Sequence, residues 1–205
     1  MPRSLAENYA EAAGARPGAN PAHVNRANGV VILGVGNVLS SDDGIGVRVA
    51  QELARRPDLP AGVRVVDGGT AGFRLLPLLE TAQRLILVDA LDVGAPPGTV
   101  LEIEPQALEG PALHASLHEA GPLELLACVE ALTGRRLPAV VVGIQPGSVS
   151  PWNDCLTAPV AAALPEAVAR VLAVLHRWAL EAATAPPRSA GRGKRLQPAP
   201  TPAGR

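Results

Sequence analysis

Residues Gly34–Arg48, GVGNVLSSDDGIGVR, join an apolar run to an amphipathic one through a glycine turn that ends in two adjacent carboxylates. The preceding Val30, Val31, Ile32 and Leu33 form a short apolar run, the pattern of a strand covered on both faces in a parallel sheet. Gly34 and Gly36 permit a sharp turn after it. Beyond the turn, Ile45, Val49 and Leu53 recur at helical spacing. Ser41 or Asp42 is available as N-cap, and Asp42 and Asp43 stand where a helix N-terminus favours negative charge. The acids therefore sit at the carboxyl end of a strand, the edge where open α/β sheets bind ligands. Simple capping of the helix by the same two acids is the structural alternative.

A strand, GxG and a helix make up half of a dinucleotide fingerprint, but the match stops there. The third glycine would fall where Leu39 stands, and two carboxylates at a helix entrance repel a pyrophosphate. No GxxxxGK[ST] loop occurs anywhere in the chain. Acids at this position suit a cation better.

The rest of the chain repeats the strand and helix alternation. Strands are expected at 30–33, 63–66, 85–88, 99–103 and 139–144, and helices at 43–56, 71–82, 119–133 and 158–180. Pro77 and Pro165 should start a new turn or kink their helices. Val160, Leu164, Val168, Val171 and Leu175 hold one face of the last helix across that kink. The expected architecture is a doubly wound α/β fold, a three-layer αβα sandwich around a twisted, mostly parallel five-stranded sheet. With 47% hydrophobic but only 2% aromatic residues in 205, the core must be aliphatic.

Three units are expected: a flexible extension at 1–28, one domain at 29–182 and a flexible basic tail at 183–205. The net charge of −1 hides an uneven distribution. Residues 185–205 hold five basic residues and no acid, and 1–28 hold three basic and two acidic, which leaves 10 basic and 17 acidic residues between them. An acidic body argues against nucleic acid as a partner. The tail reads as a solvated segment, with contact to an acidic partner or nucleic acid as the alternative. No uninterrupted apolar run reaches the roughly 18 residues that span a bilayer, and no signal-peptide core is present, so a cytoplasmic protein without membrane contact is expected.

Other strand ends carry polar groups. The run 63–66 leads into Asp67, Gly68, Gly69 and Thr70, a turn whose backbone N–H groups could grip an extended peptide or an anion; a tight turn with Thr70 as N-cap is the alternative. The run 85–88 ends in Asp89. In SLHEAG, Ser116 and Glu119 have capping-box spacing, which places His118 in a first helical turn. His114 lies in the loop before it, while His23 and His176 fall away from these strand ends. Asp43, Asp89 and His118 could converge on one sheet edge. Two carboxylates and an imidazole form a borderline-to-hard ligand set suited to Ni, Zn, Mn or Fe, with coordination positions left open for Lewis-acid chemistry. Competing machinery is absent from the sequence: there is no GxSxG elbow and no HExxH helix. Cys128, in an apolar helical run, reads as a small hydrophobe, and Cys155 lacks an evident local base.

Five blocks, GVGNVLSSDDGIGVR, VVDGGTAGFRLLPLL, LILVDALD, SLHEAGPLELL and VVVGIQP, stand in the order and at the spacing of a known family. Over about residues 29–181 the chain resembles the nickel-iron hydrogenase maturation proteases. These endopeptidases remove a carboxy-terminal extension from the hydrogenase large-subunit precursor. The resemblance implies that Asp43, Asp89 and His118 are metal ligands and the catalytic set, and that the metal is nickel already seated in the precursor. It also implies that Asp67, Gly68, Gly69 and Thr70 lie near the bound substrate peptide. The implied partner is the large-subunit precursor, and a monomer is the default for this fold. Two readings from other classes stay beside it: a non-catalytic nickel-sensing chaperone of the large subunit, and a nucleotide- or flavin-binding domain, which Leu39 and the acidic loop disfavour. The block after Pro146, GSVSPWNDCLTAPV, is variable in the family. Its Trp152 either helps choose the partner or packs on its own protein.

Overall fold

The computed structural model describes residues 29–108 and 122–184. The five expected strands form in order: β1 (Val30–Val35), β2 (Val63–Gly69), β3 (Arg84–Ala90), β4 (Val100–Ile103) and β5 (Ala139–Ile144). They make one sheet in the order β2-β1-β3-β5-β4. All neighbours are parallel except β4, which runs antiparallel to β5. Among the described residues four α-helices flank the sheet: α1 (Ile45–Ala54), α2 (Leu76–Thr81), α3 (Pro122–Thr133) and α4 (Ala158–Thr184).

The strands alternate their side chains between two cores, as a pleated ribbon must. Ile32, Ile86, Val88, Val140, Val142 and Ile144 face α1 and α4, where they meet Val49, Leu53, Val168 and Val171. Val31, Leu33, Leu85, Leu87 and Val141 face α2 and α3, where they meet Leu79, Leu125 and Val129. The apolar runs of β1, β3 and β5 lack polar alternation because both of their faces are covered. The expected sandwich is therefore the observed one.

Several boundaries differ from expectation for identifiable reasons. The first helix begins at Ile45 and not at position 43, because Ser41–Gly44 forms a tighter 3-10 turn. A second 3-10 turn, Gly72–Leu75, precedes α2, and Pro77 falls in the first turn of that helix, where its missing N–H costs nothing. The strand expected at 63–66 continues to Gly69 because the β1 to β2 register slips by one residue: Gly34 pairs with Asp67 and Val35 with Gly69, leaving Gly68 bulged. Pro165 lies inside α4, and the helix continues past it to Thr184. Length and composition alone would let α4 cross a membrane, although charged residues such as Glu166, Arg170 and Arg177 interrupt its apolar run. Here Val160, Val168, Val171 and Leu175 are buried, with Leu164 packed beside them. The basic tail expected from 183 begins later, since α4 runs through Ala183 and Thr184. The extension at 1–28, the tail from 185 on, the capping box of Ser116 and Glu119, and His23, His114 and His118 lie outside the described residues.

Candidate functional site

A doubly wound sheet has a point where the connections on its two sides diverge, and a crevice opens there outside the carboxyl ends of the strands. In this sheet the chain leaves β1 toward β2 on one side, while β3 adds on the other. Asp43 and Asp89 stand at that point.

Asp43 is carried by the 3-10 turn after β1, which packs against β3. Its approach depends on Gly36. That residue has φ of +131°, and a Cβ there would fall 1.9 Å from the carbonyl oxygen of Asp43, so no side chain fits and only glycine adopts the backbone freely. The N–H of Asn37 donates to Asp43 Oδ2 at 2.8 Å, which fixes the carboxylate across the turn. Behind it, α1 lies against the sheet through Gly46, whose added Cβ would meet the carbonyl oxygens of Val35 and Val88 at 2.3 Å each. The helix carrying this turn therefore sits as close to β1 and β3 as backbone contact allows.

Asp89 lies within β3, not after it, and is 0% exposed. Its Oδ1 accepts the N–H of Ala90 at 2.8 Å. Alternation with Leu85, Leu87 and Leu91 places it on the face covered by α2 and α3. The described chain enters α3 at Pro122 on that same face. Gly34 pairs with Asp67 on one side and Val88 on the other, so Asp67 and Asp89 stand nearly level across β1. Both carboxylates are buried on adjoining elements, and carboxylate oxygens are donors that suit a divalent cation. Among the described residues no group of three His, Cys, Asp or Glu side chains forms a complete metal set. His118, the third expected ligand, lies outside them.

Asp67 and the residues after it differ from the free turn expected. Asp67 Oδ1 accepts the N–H of Gly69 at 3.1 Å, and Gln51 Nε2 donates to Oδ2 at 3.0 Å. The carbonyl oxygen of Gly69 accepts the N–H of Gly36 at 3.0 Å. Gly69 is thus tied to the turn that carries Asp43, and Thr70 is exposed without capping the helical turn that follows. What β2 does offer is position: it is the edge strand of the sheet on this side.

The two adjacent acids do different work, and neither caps a helix through its side chain. Asp42 is 0% exposed. Its Oδ2 accepts the N–H groups of Gly147 and Ser148 at 2.8 and 2.9 Å and the Thr157 hydroxyl at 2.8 Å, while Oδ1 accepts the Thr157 N–H at 2.6 Å. These four bonds offset the cost of burying the carboxylate and pin the loop between β5 and α4. Gln145, at the base of that loop, was not among the expected site residues. Its Oε1 accepts the N–H groups of Val93 and Ala95 at 2.9 and 3.2 Å, and its Nε2 donates to Asp92 Oδ1 at 3.1 Å. It thereby shapes the segment that follows Asp89. The Gln145 amide, helped by the Gly94 N–H, holds the Asp92 carboxyl below the usual carboxylate range. Cys155 is exposed and Cys128 half-buried, and neither joins the site.

The model of the hydrogenase maturation protease family matches residues 47–174, beginning just past Asp43. The chain is 37% identical over 155 residues to the hydrogenase expression/formation protein HupD of Rhodobacter capsulatus, covering 74% of this chain and 73% of the relative. It is 35% identical over 157 residues to the hydrogenase 2 maturation protease of Escherichia coli K12, covering 75% of this chain and 94% of that protein. Among solved structures, the hydrogenase maturating endopeptidase HybD from E. coli superposes with a TM-score of 0.63 at 34% identity, covering 73% and 93% of the two chains. The maturation protease HybD from Thermococcus kodakarensis gives 0.60 at 26% identity, covering 71% and 97%.

Proposed function

The chain belongs to the hydrogenase maturation protease family, and from that premise we propose that it removes the carboxy-terminal extension of a nickel-iron hydrogenase large-subunit precursor once nickel has been inserted. The observation that carries this reading is the placing of two buried carboxylates, Asp43 and Asp89, at the divergence point of the sheet, on elements packed against each other.

The substrate in this reading is the precursor together with its nickel. The precursor supplies part of the coordination of the ion, and Asp43, Asp89 and His118 supply the remainder. A carboxylate held by the Asn37 N–H and a second one locked inside β3 need little rearrangement when the ion arrives, which is the condition for strong electrostatic stabilisation. Asp43, Asp89 and His118 would hold the ion beside the scissile bond, where it would supply Lewis-acid activation of the carbonyl toward water. The extended tail would run along β2, the edge strand of the sheet among the described residues, past Asp67, Gly68, Gly69 and the Thr70 that follows it. Gly69 is bonded to Gly36 in the turn that leads to Asp43, and pairing of a peptide with a sheet edge is a common mode of recognition. The enzyme acts as a monomer in the cytoplasm and holds metal weakly without its substrate, so nickel insertion sets the timing of the cut.

Mixing the purified protein with nickel-loaded candidate precursors and weighing the products tests the reading. A precursor shortened at its carboxy terminus is the expected result. A stable complex of unshortened chains would assign the protein a chaperone role instead.

A further inference from the structure

Trp152 is 89% exposed and holds φ of +60°. Both facts run against what the fold alone would select. A tryptophan in water forgoes the largest apolar burial any side chain offers, and a bulky residue in the left-handed region is strained. The fold gains nothing from the indole, yet the backbone that presents it is bound on every side. The N–H of Asn153 donates to the Leu39 carbonyl at 3.1 Å, and the N–H of Ser41 donates to the Asn153 carbonyl at 2.6 Å. Ser41 Oγ donates to the Cys155 carbonyl at 2.8 Å, and Arg48 Nη2 donates to the carbonyl of Asp154. Asp42 grips both ends of the loop through Gly147, Ser148 and Thr157. The residues doing the holding are those of the 3-10 turn that carries Asp43 and of the helix after it.

We propose that Trp152 is a specificity-determining contact for the precursor, held out in a fixed position beside Asp43 by the loop that the buried Asp42 carboxylate clamps. Leu39 and Val149 are also exposed; the first is bonded to Asn153, and the second follows Ser148 in the clamped loop. The three form an apolar fringe to the catalytic turn. A protein that brings its tail to Asp43 must come against this fringe, and a rigid exposed aromatic is the kind of side chain that anchors such contacts. The occupant is the precursor and not a second copy of this chain. Three side chains of this size bury about 400 Å², roughly half of the ~800 Å² per partner that a stable dimer requires, whereas the tail engaged along β2 would supply the remainder for the precursor.

The inference rests on the maturation reading, so the experiment separates the two. Nickel-loaded precursor is titrated against the wild-type protein, Trp152→Gly and Trp152→Phe, with kcat, KM and melting temperature measured for each. Glycine is at ease at φ of +60°, so Trp152→Gly should keep or raise the melting temperature while KM rises about tenfold or more and kcat holds. Trp152→Phe should restore most of the affinity. In a Trp178→Phe background Trp152 is the sole tryptophan of the two in the chain, and its emission should shift to the blue on addition of precursor. Unchanged KM in Trp152→Gly, with the wild type cleaving normally, overturns the inference and leaves the maturation reading intact. A blue shift that follows protein concentration without precursor overturns it in favour of self-association. A wild type that neither binds nor cleaves any precursor removes both.

Discussion

Neighbouring identical residues can be separated by a structure into different tasks, and Asp42 and Asp43 are such a case. Asp42 turns inward onto Gly147, Ser148 and Thr157, while Asp43 is held toward the end of β1 by the Asn37 N–H. Nothing local in SSDDG distinguishes them, because the groups that claim Asp42 lie more than a hundred residues further along the chain. The roles expected of Asp43 and Asp89 came from the family resemblance, since an acid after an apolar run is common. What the residues themselves made legible is their place at the carboxyl ends of β1 and β3. Asp43→Asn and Asp89→Asn keep shape and remove the anion. Each should lower precursor cleavage by about 100-fold or more, beyond the 10- to 100-fold typical of groups that only support metal ligands, with thermal unfolding near that of the wild type; His118→Ala should do the same. Activity retained by any one of these variants removes that residue from the site. Gly36→Ala is of another kind. It places a methyl group against the Asp43 carbonyl in a backbone region closed to alanine, so it should cost about 3 kcal/mol in stability, measurable by urea titration. Gln145→Leu withdraws the amide from Asp92, and the Asp92 carboxyl should then titrate higher, toward its ordinary range, in an NMR pH series.

At the level of elements, the site depends on how closely α1 is pressed to the sheet. Ile45, Val49 and Leu53 line the face that meets β1 and β3, and all three are fully buried. Leu53→Ala should therefore cost about 3 kcal/mol, within the usual range for a leucine truncated in a tight core, and a urea titration would measure it. Cleavage by the folded fraction should change little, since Leu53 is at the far end of the helix from Asp43. These elements were readable because their periodicity is strong: two-sided burial makes β1, β3 and β5 continuous, and helical spacing marks α1 and α4. The extension of β2 through Gly69 was not readable. Asp, Gly and Gly ordinarily signal a turn, and only the bulge opposite β1 keeps them in the sheet. By contrast, the helix expected to run on past Pro165 does so, because its apolar face binds the sheet on both sides of the proline.

At the scale of the whole molecule, the consequence to be tested is one of timing. The described residues bring two carboxylates to the divergence point of the sheet, and a set of two carboxylates and one imidazole is short of the ligands that a hydrated divalent ion needs to be held tightly. If the precursor completes the coordination, affinity for the ion and affinity for the precursor are linked, and each strengthens the other by the same factor. Nickel-loaded precursor should then be cleaved, while precursor prepared without nickel should stay whole, although both present the same scissile sequence. The free protein, dialysed against nickel at micromolar concentration, should retain little of it, and addition of nickel-loaded precursor to Asp43→Asn should leave the complex weaker than with the wild type. Equal cleavage rates for loaded and nickel-free precursor would dismiss nickel from the mechanism while leaving the peptidase assignment in place, and the two carboxylates would then have to act on water directly.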